Sequence, residues 1–412
     1  MNQKKTIGLF EAYGVEIEYM IVSADSLDVM PVSDEVLREG GPEYVCEIEK
    51  GELNWSNELV LHVLELKTAS PAPRLEPLAA LFQDHVQQVN SRLAEFGAKL
   101  MPTAMHPWMN PDNEMRVWPH EYSDVYETFN RIFDCRGHGW SNLQSVHLNL
   151  PFDGDEQFAR LHAAIRLLLP LMPALAASSP IIESRATGFM DSRLDVYRTN
   201  ARRIPSVSGK VIPEPVYSVA DYESQILQPM YCDVARYDPE GTLQFEWLNA
   251  RGAIARFDRN AIEVRVLDVQ ENPAMDLAVV GSIVTVLREL SAEKWTNTQE
   301  QQGLTTDSLH AILLATVRDA DQAVITDEQF LRQFGWENRG HCTARELWSH
   351  LAAETGLLAT DSPWSVEISH LINNGPLARR ILKRLDGDMS RPHLAEIYGE
   401  LCDCLAAGRK FD

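Results

Sequence analysis

Four segments of the chain alternate apolar and polar residues with a period of two. In "GVEIEYMIV" (14–22), Val15, Ile17, Tyr19 and Ile21 alternate with Glu16 and Glu18. This pattern predicts a half-buried strand whose two glutamates leave the same face, about 6–7 Å apart. "LELKTASP" (64–71) sets Glu65 and Lys67 opposite Leu64 and Leu66. "SVHLNLPF" (145–152) sets His147 and Asn149 opposite Val146, Leu148 and Leu150, and "AIEVRVLDV" (261–269) sets Glu263 and Arg265 opposite Ile262, Val264 and Val266. Strict alternation sends Asp268 to the face opposite Arg265.

Between these segments the period lengthens to that of a helix. Residues 76–97 read as a helix closed by Gly97, and 273–290 as one opened by Pro273. Residues 155–180 read as a buried helix bent or broken at Pro170 and Pro173. "REGGPE" (38–43) predicts a turn, 102–142 a loop with short elements, and 181–245 a long irregular excursion. After about 295 helices follow one another, one of them opening on a Thr343/Glu346 capping box and closing on Gly356. The order of elements is not a regular βαβ alternation. It predicts an α+β fold with a mostly antiparallel sheet flanked by helices, a main domain over 1–294 and a helical C-terminal region over 295–412.

Composition narrows the classes. The chain has 412 residues, 45% of them hydrophobic, and no apolar run of 18 residues, so no membrane span is expected. The first residues hold two lysines and no apolar stretch, so no signal peptide is expected and the location is read as cytoplasmic. A net charge of −23 disfavours nucleic acid as a partner. Six scattered cysteines form no CxxC and read as reduced thiols. Phosphate-loop, dinucleotide, nucleophile-elbow and zincin motifs are absent.

Solvated sheet faces would explain any one of the polar pairs. Taken together, Glu16, Glu18, Glu65, His147 and Glu263 also describe a cup of ligands for a hard divalent cation, with Arg265 offsetting charge on a transferred phosphoryl group. A metal-dependent hydrolase would use the same cup. His106, His120 and His138, in the Pro- and Trp-rich loop, read as structural, and the nearby tryptophans as packing residues.

The segments "YGVEIEYMIV", "ELVLHVLELKTASP", "QSVHLNLPF", "ASSPIIESRATGFMDSRLDVYRTNARRIPSVSG" and "AIEVRVLDVQENPAMDLAVV" resemble, in order over about residues 8–295, the motifs of the glutamate–cysteine ligase type 2 family. The resemblance implies a glutamine synthetase-like half-barrel with its site in the concave face. It implies ATP and Mg²⁺ or Mn²⁺, with a substrate carboxylate, usually the glutamate γ-carboxylate, activated as an acyl phosphate and joined to an amine such as cysteine. Glu16, Glu18, Glu65, His147 and Glu263 would then bind metal, and Glu263 and Arg265 would act in catalysis. Arg193, Lys67, Asn149 and Arg203 would meet substrate or phosphate. Many relatives have a second histidine where Asn149 stands. A regulatory scaffold acting beside another ligase is the alternative, and a homodimer is plausible by analogy.

Overall fold

The computed structural model describes residues 6–38, 41–337 and 340–412. The charged N-terminus and the Glu39–Gly40 part of the predicted turn lie outside them. Eight strands form one open sheet: β1 (Gly14–Ser23), β2 (Glu47–Lys50), β3 (Leu53–Asn57), β4 (Val63–Thr68), β5 (Ala98–Met101), β6 (Ser145–Pro151), β7 (Ala253–Arg256) and β8 (Ala261–Asp268). Their order is β2-β3-β4-β1-β6-β8-β7, with β5 on the far half of β1, and every pairing is antiparallel.

The alternation in β1 decides which face is covered. Val15, Ile17, Tyr19 and Ile21 are fully buried. They share a core with Phe82 and Val86 of α1 (Leu78–Leu93), Phe158 and Ile165 of α2 (Gly154–Leu168), and Leu277 and Ile283 of α3 (Pro273–Ser291). Burying each such side chain contributes about 1.5–3 kcal/mol, so slipping β1 by one residue would forfeit most of that core. On the opposite face β1 changes character along its length. Glu16 and Glu18 come first. Met20 and Val22 follow, packed against Ile381 and Leu385 of α4 (Leu377–Leu385) and Leu394 and Leu401 of α5 (Arg391–Ala407). The C-terminal helices thus cover one end of that face and leave the acidic half open.

The sequence rules place several boundaries well. α1 runs into a short 3-10 turn that stops at Gly97, whose φ of 67° requires the left-handed region. The chain leaves α2 through a 3-10 turn at Leu169–Leu171, and Pro173 starts a separate four-residue helix. Asn272 caps α3, and Thr343 with Glu346 forms the expected capping box. The segments read as irregular are more ordered than expected, with helices at Ser123–Phe133, Ser192–Asn200 and Gln228–Ala235. Ser192–Asn200 shows no apolar stripe because it sends Leu194 to the core and Arg193, Tyr197 and Asn200 to a polar cavity. Among the described residues no helix is long and apolar enough to cross a membrane.

Gly281 marks a close helix approach. A Cβ there would lie 2.4 Å from the indole of Trp364. Gly281→Ala gains about 1 kcal/mol of helix propensity and meets an overpacking cost of about 1–3 kcal/mol. The variant is expected to melt a few degrees lower, and a higher melting temperature would refute the packing argument.

Candidate active site

Cross-strand register gathers the polar residues into rows. Lys67, Glu16 and His147 are successive partners across β4, β1 and β6. Ser56, Glu65 and Glu18 form the next row across β3, β4 and β1, and Asn149 faces Glu263 across β6 and β8. Of these, Lys67, Glu16, His147, Glu65, Glu18 and Glu263 line a cavity of about 570 Å³. A second cavity of about 610 Å³ adjoins it, sharing Glu16, Thr68, Ala69 and Arg259.

His147 is the hub. Its Nδ1 lies 3.1 Å from Glu16 Oε2 and 3.9 Å from Glu263, and its Nε2 3.7 Å from Glu18 and 2.9 Å from Ser145 Oγ. Two ligand triads result, Glu16–His147–Glu263 and Glu18–Glu65–His147, each with donor atoms within 4.8 Å of one another. Ser145 donates its N–H (2.7 Å) and its hydroxyl (3.1 Å) to Glu18 Oε2, and Ser56 donates to Glu65 Oε2 (2.6 Å). Asn149 donates to Glu16 Oε1 (3.1 Å), while its own Oδ1 is buried without a partner.

The charges are unevenly balanced. Burial works against an ionised Glu16, but the hydrogen bond and charge of His147 hold its pKa at about 2. Burial likewise opposes the imidazolium, yet Glu16, Glu18 and Glu263 raise His147 to about 9. Burial and the Glu16 charge push Glu65 up to about 7, and burial with Glu18 and Glu65 pushes Glu58 well above the ordinary carboxylate range. Carboxylates driven toward protonation by one another, one imidazole and an orphaned amide oxygen make a donor set that fits Mg²⁺ or Mn²⁺.

The sign of each shift sets a pH dependence. His147 is raised from 6.5 and Glu65 from 4.5. Their stabilisation is therefore whole below those values and lost as pH rises through about 9 and about 7. Glu16 is lowered from 4.5, so its stabilisation is present above that value and lost as pH falls toward about 2. The metal-free protein should be most stable near about pH 5 and lose stability toward pH 9. Mg²⁺ or Mn²⁺ should suppress that alkaline loss, because it takes the place of protons on its ligands. Melting curves from pH 5 to 9, with and without the cation, check this; a flat metal-free profile would contradict it.

The arginines flank the cup. Arg265 Nε donates to Glu263 Oε1 at 2.5 Å, and Arg256 Nη1 to Glu263 Oε2 at 3.3 Å. Arg193 is 2% exposed. Its Nε donates to Asp268 (2.5 Å) and its Nη1 to the Arg265 carbonyl (3.2 Å), leaving Nη2 buried and without a partner among the described residues. Asp268 can do this because β8 is bulged. Val264 faces Leu148 while Leu267 faces Val146, so three steps oppose two and Asp268 turns to the cup side beside Ser145. This corrects the strict alternation.

Lys67 lines the cavity and is paired with Glu47 (2.7 Å) and Glu65 (3.2 Å). Arg203 is a correction. It donates to the Ile132 carbonyl (2.7 Å) at a helix end and lies 4.6 Å from the Tyr237 ring, lining neither cavity. His106, His120 and His138 are absent from the cavity walls and bond to Leu27, Asp34 and Asn142. Sequence reasoning passed over Ser145 and Arg256. For Arg256 the turn 257–260 between β7 and β8 was the available signal, because it folds the residue back beside Glu263.

Comparison with known proteins agrees with this architecture. Two solved structures share the fold, each with a TM-score of 0.52. A glutamate–cysteine ligase from Francisella tularensis, solved in complex with AMP, is 12% identical, with 98% of this chain and 95% of that one covered. A bifunctional glutathione synthetase from Pasteurella multocida is 15% identical, and this chain spans about half (52%) of its length. A Nocardioides protein provisionally named glutamate–cysteine ligase 2-1 is 28% identical, covering 68% of each chain. An uncharacterised Archaeoglobus fulgidus protein is 36% identical, covering 67% of this chain and 73% of its own. The antiparallel sheet and its flanking helices are the fold shared with those two ligase structures. The sequence model of glutamate–cysteine ligase family 2 matches residues 12–362, and the chain belongs to that family.

Proposed function

We propose that the protein is an ATP-dependent ligase that activates an amino-acid carboxylate, most simply the glutamate γ-carboxylate, as an acyl phosphate and joins it to an amine. The observation that carries this reading is the convergence of two ligand triads on the two edges of His147, with Arg265 and Arg193 beside them.

Glu16 and Glu263 with His147 would hold one divalent cation, and Glu18 and Glu65 a second, since a neutral imidazole has one lone pair to give. A bound Mg²⁺ or Mn²⁺ supplies positive charge to the nucleotide phosphates and to the phosphoryl group in flight. Arg265, fixed by Glu263, adds a guanidinium to that same charge. The substrate carboxylate oxygen attacks the γ-phosphorus and ADP leaves. The amine nitrogen then attacks the acyl carbon, the C–N bond forms and inorganic phosphate departs. The proton lost by the attacking ammonium passes to a cup carboxylate. Glu58 lines the same cavity and accepts it in its ionised form. Arg193 Nη2 offers a fixed donor for a substrate carboxylate.

The test is ADP release with glutamate and a panel of amines, with products weighed by mass spectrometry. Amine-dependent ADP formation, abolished by chelation and matched by an amide of the right mass, supports the reading. Metal-dependent ATP binding with no turnover would favour a scaffold acting beside another ligase. Absence of ATP binding would refute both.

A further inference from the structure

Along β1 the concave groove has two unlike ends. Toward Gly14 its walls are small and mostly neutral, with Ile7, Ala69, Pro71 and Pro151 near Asp258. Toward Glu18 the walls combine three other chemistries. The first is an aromatic face made by Phe129, Trp140 and Trp247, half-buried and lining the cavity. Its ring centroids lie 5.4 Å apart for Phe129–Trp140 and 5.8 Å apart for Phe129–Trp247. Phe245, 54% exposed, extends the face by stacking on Trp247 at 5.7 Å and 10°. The second chemistry is a fixed cation, the buried and unpartnered Nη2 of Arg193. The third is acidic, from Glu18 and Glu58.

We infer that the amine substrate of this site carries an aromatic or extended apolar group that lies on Phe129, Trp140 and Trp247. The inference rests on the ligase reading and names its second substrate class. The ammonium group of such a substrate finds carboxylates at the same end, and a carboxylate, where the substrate has one, finds Arg193. An acceptor as small as cysteine leaves the aromatic face uncovered, and half-exposed rings gain from being covered by another planar group. A nucleotide base on the same face is the competing occupant, and the tryptophan variants tell the two apart.

The full-length protein, with ATP, Mg²⁺ and glutamate, is given an equimolar mixture of phenylalanine, phenethylamine, cysteine and alanine, and the amides are counted by mass spectrometry. In parallel, binding of phenethylamine and of cysteine is measured by calorimetry in the presence of a non-hydrolysable ATP analogue. Aromatic amines are expected to be preferred by at least about tenfold in both assays. Trp140→Ala and Trp247→Ala should weaken aromatic amine binding about tenfold and keep nucleotide affinity within about twofold, with Trp140→Phe restoring most of the loss. Preference for cysteine or alanine, or tryptophan variants that weaken the nucleotide instead of the amine, overturns the inference and leaves the ligase intact. Aromatic amine binding without any amide upholds the ligand class and overturns the ligase reading. Absence of both overturns both.

Discussion

Glu65→Gln lowers metal-dependent ligation by about two to three orders of magnitude while leaving the melting temperature unchanged or higher. The two effects part because Glu65 is held where a negative charge is costly. It is 6% exposed, and burial with the Glu16 charge raises its pKa to about 7. A neutral amide of the same shape relieves that repulsion and can still accept from Ser56, which donates to Glu65 at 2.6 Å. The cost falls on cation binding, since a hard dication prefers a carboxylate oxygen to an amide. Steady-state turnover and a thermal melt, each at saturating and at limiting Mg²⁺, separate the effects. Wild-type turnover would remove Glu65 from the metal set. A collapsed melting temperature would make it a structural partner of Lys67.

Arg265→Lys reduces kcat by about three orders of magnitude and changes the KM for ATP little, because its charge is needed most when the phosphoryl group is between donor and acceptor. Removing one partner of a buried ion pair usually costs about 3–5 kcal/mol. Here the fold is protected, because Glu263 keeps Arg256 at 3.3 Å and lysine keeps a charge at position 265. Lysine loses the planar fork with which Arg265 meets Glu263 through Nε and the Asn249 carbonyl through Nη1 (3.5 Å). Rapid-quench measurement of the ATP cleavage step gives the answer directly. An unchanged rate of that step would move Arg265 from catalysis to the support of Glu263.

Much of the cup was legible in the sequence because β-strand alternation is a local rule. Glu16, Glu18, Glu65, His147, Asn149 and Glu263 each follow from a polar pair on a strand whose other face is apolar, and antiparallel register then brings them together. Asp268 was misread because one extra residue in β8 reverses the alternation; the consecutive apolar pair Val266–Leu267, which breaks the period of two, was the available signal. Arg203 was misread because the charge of a side chain does not reveal its direction; a helix terminus with free carbonyls took it first. Trp140 was expected to pack, and it does pack on one side. That its other side borders the cavity depends on how the helices Ser123–Phe133 and His138–Ser141 meet the sheet, which no local pattern encodes.

The position of β1 bears on how the molecule reaches this state. Glu16 and His147 are hydrogen-bonded across 131 positions of sequence, and β1 also pairs with β4 and β5. Such distant pairings must close large loops before any contact repays the lost chain entropy, so they form slowly. The acidic residues add mutual repulsion as the strands converge. Magnesium in the refolding buffer should therefore hasten refolding, because it offsets the repulsion that opposes the pairing of β6 with β1.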